Sequence, residues 1–196
     1  MPKIIPGLQD SLLLHGRRIF SEKGYTHTEL RDVAASAGTS VGNIYNYYRS
    51  KPHLFLAVVE VWHGELSIQI EKILAQTWEP EEKLFRIAEV QYLQANTVHG
   101  LWKEFFMEGA KAFKDEVCLS LWGKMEEQVK LLQLKMDELF FQANPALSNM
   151  PGESSGRWSS VLLTSVFHLP MKYPKEDEEN LQFIRNLIAV IARKSM

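Results

Sequence analysis

Residues 28–55, TELRDVAASAGTSVGNIYNYYRSKPHLF, confine this chain more tightly than any other stretch, because they fit two short helices, a tight turn and a third helix start, and little else. Thr28 suits an N-cap, and Leu30, Val33, Ala34 and Ala37 recur at three- and four-residue steps behind it, giving a short helix with one narrow apolar face. Gly38 supplies the backbone freedom for a turn, and Ser40 can cap a second helix whose inward residues are Ile44 and Tyr48. Val41, Gly42, Asn43, Tyr45, Asn46 and Tyr47 then occupy the rest of that second helix. Ser50 caps the third, with Lys51 and Pro52 in its first turn, where the N–H that proline lacks is not needed.

Two helices joined by a short glycine-containing turn, the second small and polar at its start, form the helix-turn-helix pattern, whose second helix enters the major groove of DNA. A preceding helix over residues 8–23, with Leu12, Gly16, Ile19 and Phe20 inward, covers the apolar side and stops at Gly24. Phe20, Gly24, Tyr25, Thr28, Val33, Ala34, Ala37, Gly38, Ser40, Gly42, Tyr45, Tyr48, Lys51, Leu54 and Phe55 fall in the order and spacing of a known family. In this first quarter the chain resembles the TetR family of bacterial transcriptional regulators. It departs from that pattern at Gly16, where the family more often has Ala, and at Tyr48, where it usually has Phe.

The resemblance implies an all-α protein: a three-helix helix-turn-helix head over residues 1–52, on a larger C-terminal helical bundle over residues 53–196 that binds a ligand and dimerises. Charge is distributed to match. The whole chain is −2, yet residues 1–52 carry seven Lys/Arg against four acids, a basic end on an acidic body.

The body reads as helices throughout, with no convincing strand. The third head helix runs on through Leu54, Phe55, Val58, Val59, Trp62, Leu66, Ile70 and Ile73 to about residue 76, so a shift at its far end can travel to the head as a rigid movement. Further helices are expected near residues 81–98, 101–113, 115–142, 157–169 and 176–194, with a loop at 144–156 and breaks at Pro170 and Pro174. The last two carry apolar faces wider than one core surface requires. Trp158, Val161, Leu162, Val166, Ile184, Leu187, Ile188 and Ile191 are therefore assigned to a four-helix homodimer interface.

Roles in the head follow from position. Thr28, Ser40, Lys51 and the hydroxyls of Tyr45 and Tyr47 are assigned to phosphates. Arg31 is assigned to guanine, and Val41, Gly42, Asn43 and Asn46 to base edges, Asn suiting adenine and Val41 a thymine methyl. One small head binds weakly, so two heads on a palindromic duplex operator are required. The resemblance also implies a small effector in the body that releases the protein, a repressor, from DNA. Trp62, Tyr92, Trp102, Phe106, Trp122 and Met125 are the pocket residues assigned to an apolar or aromatic molecule.

Other functions find little support. No Gly-rich phosphate loop, GxSxG or HExxH occurs, the histidines show no metal-ligand spacing, and Cys118 is the sole cysteine. No cofactor, metal or catalytic residue is expected. No run approaches eighteen apolar residues and the start lacks a signal-peptide pattern, which points to a cytoplasmic protein without a membrane partner. The alternative from another class is a helical small-molecule carrier or interaction module that does not read specific DNA.

Overall fold

The computed structural model describes residues 4–97, 116–149 and 156–193. It is all-α, with no strand among the described residues. The chain divides into two compact units, one of Met1–Glu65 with Thr97–Met125 and the other of Leu66–Asn96 with Glu126–Met196.

The first unit contains helices α1 (Leu8–His27), α2 (Leu30–Ser36), α3 (Val41–Tyr45) and the start of α4 (Lys51–Leu74). Leu12, Phe20, Val33, Ile44 and Leu54 are fully buried, and the Phe20 and Phe55 rings meet edge-on with centroids 5.1 Å apart. The small core expected from Phe20, Leu30, Val33, Ile44 and Tyr48 is formed by those residues. Gly16 has a packing reason: a Cβ there would stand 3.1 Å from Cγ2 of Val58, so α1 and α4 approach closely at this point. α1 is broken at Gly24, whose φ of 75° and ψ of 168° interrupt the helix where the sequence placed its end.

The cap of α2 differs from expectation. Glu29, not Thr28, is the N-cap: its side chain accepts from the backbone N–H of Asp32, and Asp32 accepts from that of Glu29 in return. Thr28 is fully buried and its hydroxyl donates to the Gly24 carbonyl at 2.7 Å. The hydroxyl satisfies an acceptor left open by the break in α1, which binds it more firmly than an exposed cap would.

The second unit contains most of α5 (Pro80–Thr97) and α6 (Glu116–Ala143), followed by a short 3₁₀ helix (Pro145–Asn149), α7 (Arg157–Lys172) and α8 (Asp177–Ala192). Leu84, Ile87, Tyr92, Met136, Phe140, Leu162, Val166 and Ile184 are its buried centre. The expected loop over 144–156 thus begins with a 3₁₀ helix, while residues 150–155 lie outside the described residues. The expected helix near 101–113 also falls outside them.

α7 continues through Pro170 to Lys172, past the end expected at Leu169. Proline's fixed φ is helical, so the helix can pass through the buried Pro170, at the cost of its bond to the carbonyl one turn back and of crowding against that carbonyl.

Buried polar groups fix the helix ends. Gly156, the N-cap of α7, has no side chain to offer, and Asp137 of α6 acts in its place, accepting from the Gly156 N–H and, at 2.8 Å, from the Ser159 N–H. Asn144 donates to the carbonyls of Ile191 and Arg193 at 3.2 and 2.8 Å, closing the end of α8. Tyr92 donates to Asp177 at 2.7 Å and accepts from Asn180 at 3.0 Å, tying α5 to the start of α8.

Candidate nucleic-acid interface

The first unit presents α3 on its surface. Gly38, at φ 64°, turns the chain out of α2, and the Ser40 hydroxyl caps α3 by accepting from the Asn43 N–H at 3.2 Å. Ile44 and Tyr48 face inward, as their spacing predicts. Gly42, Tyr45 and Asn46 are exposed, Tyr45 to 54%, and Val41, Asn43 and Tyr47 are half-buried beside them.

Gly42 is not demanded by the fold. The site of its missing Cβ has one neighbour, the Ser40 hydroxyl at 3.8 Å, an ordinary contact that leaves space for a side chain. Glycine costs a helix about 1 kcal/mol against alanine, and no contact among the described residues offsets that cost.

The remaining assigned residues divide. Asn43 is oriented by a bond from its Nδ2 to the Thr39 hydroxyl at 3.0 Å, a partner that the sequence reading overlooked although Thr39 lies one helical turn back. Arg31 is exposed and forks onto Glu29, with Nε at 2.9 Å and Nη2 at 3.1 Å. An exposed pair of this kind is worth at most about 1 kcal/mol, so a guanine edge can displace it. Lys51 sits 4.4 Å over the Tyr25 ring and donates to the Thr26 carbonyl at 3.3 Å, contacts that hold its ammonium near the end of α1. Thr28, assigned to a phosphate, has no side-chain surface with which to reach one: its hydroxyl is directed inward to α1. The Tyr47 hydroxyl is engaged by the backbone of Ile5, accepting from its N–H at 2.7 Å and donating to its carbonyl at 3.0 Å.

Asp32 sets the local electrostatics. The Glu29 N–H and the Lys23 ammonium, 3.0 Å away, hold its carboxyl below the usual carboxylate range, so it stays an anion and neutralises Lys23.

The pocket and interface residues lie in other regions. Trp62 is buried to 2% in the first unit, Tyr92 is buried in the second with its hydroxyl already bonded, and Trp122 is half-buried. Trp102, Phe106 and the side chain of Met125 lie outside the described residues. Among the residues assigned to dimerisation, Leu162, Val166, Ile184 and Ile188 are core of the second unit, because they face one another where α7 packs on α8. The exposed apolar face of these helices is instead Val161 at 48%, Phe183 at 53% and Val190 at 63%, with Trp158, Leu187 and Ile191 half-buried beside them. Phe183 and Val190 are legible only as widening an apolar stripe, without a sign of which side faces out.

The model of the bacterial regulatory proteins of the tetR family matches residues 12–58, from within α1 to the first turns of α4. Residues 12–58 are thus similar to the DNA-binding domain of that family. The HTH-type transcriptional repressor KstR2 of Mycolicibacterium smegmatis is 32% identical over 76 residues, which are 39% of this chain and 37% of that protein. The match thus spans little over a third of that curated relative. A solved TetR-like transcriptional regulator from Rhodococcus sp. RHA1 superimposes with a TM-score of 0.70 at 15% identity, covering 95% of this chain and 97% of its own. AibR, solved in complex with isovaleryl coenzyme A and operator DNA, superimposes with a TM-score of 0.70 at 14% identity, covering 92% and 97%. At these identities the likeness is one of fold alone.

Proposed function

We propose that this chain is a DNA-binding transcriptional regulator of the TetR family, a repressor that holds a palindromic duplex operator as a homodimer and leaves it when a small effector binds. Residues 1–52 are the reading head and 53–196 the sensing and dimerising body. The observation that carries this reading is the exposed face of α3, where Gly42 leaves room that nothing among the described residues fills, beside exposed Tyr45 and Asn46. Val41, Asn43 and Asn46 read bases with Arg31, while Ser40, Tyr45 and Lys51 contact phosphates.

Exposed Val161, Phe183 and Val190 support dimerisation, since large apolar side chains gathered on two neighbouring helices are favourably covered by a partner. No helix among the described residues is long and apolar enough to cross a membrane. The residues suggested for the effector, chiefly Trp62 and Trp122 among those described, favour an apolar or aromatic molecule. Isovaleryl coenzyme A, the ligand in the AibR structure, presents a small apolar acyl group and is the first compound to try.

The test is fluorescence anisotropy on the DNA upstream of the chain's own gene against a scrambled duplex, at two salt concentrations. Specific binding that weakens with salt is expected, with Gly42→Ala reducing affinity roughly tenfold while raising the melting temperature of the free protein. Gly42→Ala without effect on binding refutes the assignment of the α3 face.

A further inference from the structure

The outward side of α8 is ordered so that it complements itself. The buried side of this helix is Asn180, Ile184, Ile188 and Ala192. Residues two apart in a helix are about 200° apart around its axis, so Asn186, two places from both Ile184 and Ile188, stands opposite the core. Glu179, Phe183, Asn186, Val190 and Arg193 form an exposed seam at alternating steps of four and three residues. The acid and the base each lie two turns from the central amide, about 10 Å along the helix. Phe183 and the small, exposed Ala189 stand at equal distances on either side of it. Gln182 Nε2 donates to Asn186 Oδ1 at 3.0 Å, which steadies the amide and leaves its NH2 group to donate elsewhere.

We infer that Asn186 sets the register of the homodimer: α8 packs antiparallel on its own copy, with the two-fold axis at this residue. This rests on the homodimer proposed above. A two-fold axis across the helix relates each residue before Asn186 in one copy to the residue as far after it in the other. Glu179 then meets Arg193 of the partner subunit, twice in each dimer, and Phe183 meets the partner's Ala189, large against small. The two Asn186 amides each donate to the other's oxygen. A parallel pair would instead set Glu179 and the acids before it, Asp177 and Glu178, against their own copies. An antiparallel pair slipped by one turn sets Asn186 against the partner's Val190 or Gln182 and parts both ion pairs. A single polar residue in an apolar seam selects one register in this way.

The experiment is sedimentation velocity on the full chain over a range of protein concentrations, with circular dichroism to verify that each variant is folded. Glu179 and Arg193 are both exposed, so exchanging their charges leaves the core intact. Glu179→Arg and Arg193→Glu each set two like-charged pairs across the axis, and each is expected to weaken the homodimer on the order of tenfold at about 50 mM salt and less at about 500 mM. Mixed in equal amounts, the two variants meet with opposite charges at both contacts, so the mixture is expected to recover wild-type association as a heterodimer. Asn186→Asp sets two carboxylates together at the axis and is expected to weaken the homodimer at least as much. Single variants that associate like wild type, a mixture that dissociates like its components, or wild-type association of Asn186→Asp each overturn the register and leave the homodimer standing. A wild type that is monomeric throughout overturns the homodimer and the register together.

Discussion

Replacing Asp137 with alanine tests whether a helix can be capped by a residue from another helix. The carboxylate is 1% exposed, and burying a charge to this extent costs several kcal/mol unless its partners return that energy. Here the partners are the N–H groups of Gly156 and Ser159, at a helix start whose dipole favours an anion. Alanine removes the desolvation cost together with the bonds, leaving two backbone donors without an acceptor at about 1–3 kcal/mol each. Gly156 is only half-buried, so water recovers part of its share. The net loss is then about 2–4 kcal/mol, above the typical N-cap value of about 1. In a chain of this length, 1 kcal/mol moves the melting temperature by about 2–4 °C, so a fall of roughly 4–16 °C is expected. Asp137→Asn keeps one acceptor and turns an N–H towards the other donor, and should lose about half as much. Melting is followed by circular dichroism at a single protein concentration, because the proposed dimerisation would make it concentration-dependent. Alanine and asparagine variants that both melt within about 1 °C of wild type would refute the cap.

Two further predictions concern buried groups of the first unit. The Tyr48 hydroxyl is buried, with Gln9 close enough to act on it electrostatically but no hydrogen bond of ordinary geometry, so Tyr48→Phe should stabilise the protein by about 1 kcal/mol, read as a melting temperature raised by about 2–4 °C. A lower melting temperature instead means that the hydroxyl has a partner worth keeping. His63 is 9% exposed, and burial pushes its imidazole below the ordinary value of about 6.5. Above pH 6.5 neither folded nor unfolded chain holds this proton. Below it the unfolded chain takes the proton first, so stability should fall as pH drops from 7 towards 5, and His63→Leu should flatten that part of the profile. An unchanged profile in the variant assigns the pH dependence to other groups.

The head was legible because its signals are local. Gly38, Ser40 and the spacing of Val33, Ala34, Ile44 and Tyr48 act within a few residues of one another, and the structure places each where that spacing requires. Thr28 misled because it and Glu29 are both competent caps, and what separates them is the reach of Thr28 to the Gly24 carbonyl across a break in α1. The two faces of α7 and α8 were indistinguishable for a similar reason. Leu162 and Val161 are chemically alike, and only the packing of one helix on the other decides that Leu162 is buried while Val161 is 48% exposed. Asp137 has no local signature either, since the helix that it caps starts far along the chain. Pocket residues were the least legible, as apolar side chains at helical spacing fit a solid core and a ligand cavity equally well.

The triad of Tyr92, Asp177 and Asn180 sets a clock on synthesis. Tyr92 and Asn180 are separated by 88 residues, so at a ribosomal rate of about 5–20 residues per second the tyrosine emerges about 4–18 s before its partner. The head's contacts span shorter stretches and can assemble within that interval, while the buried residues of α5, Leu84, Ile87 and Ala88, wait uncovered for the rest of the second unit. A nascent chain therefore passes through a state in which the reading helix is built and the second unit is not, and during those seconds the exposed strip on α5 is where a chaperone would bind or aggregation would start.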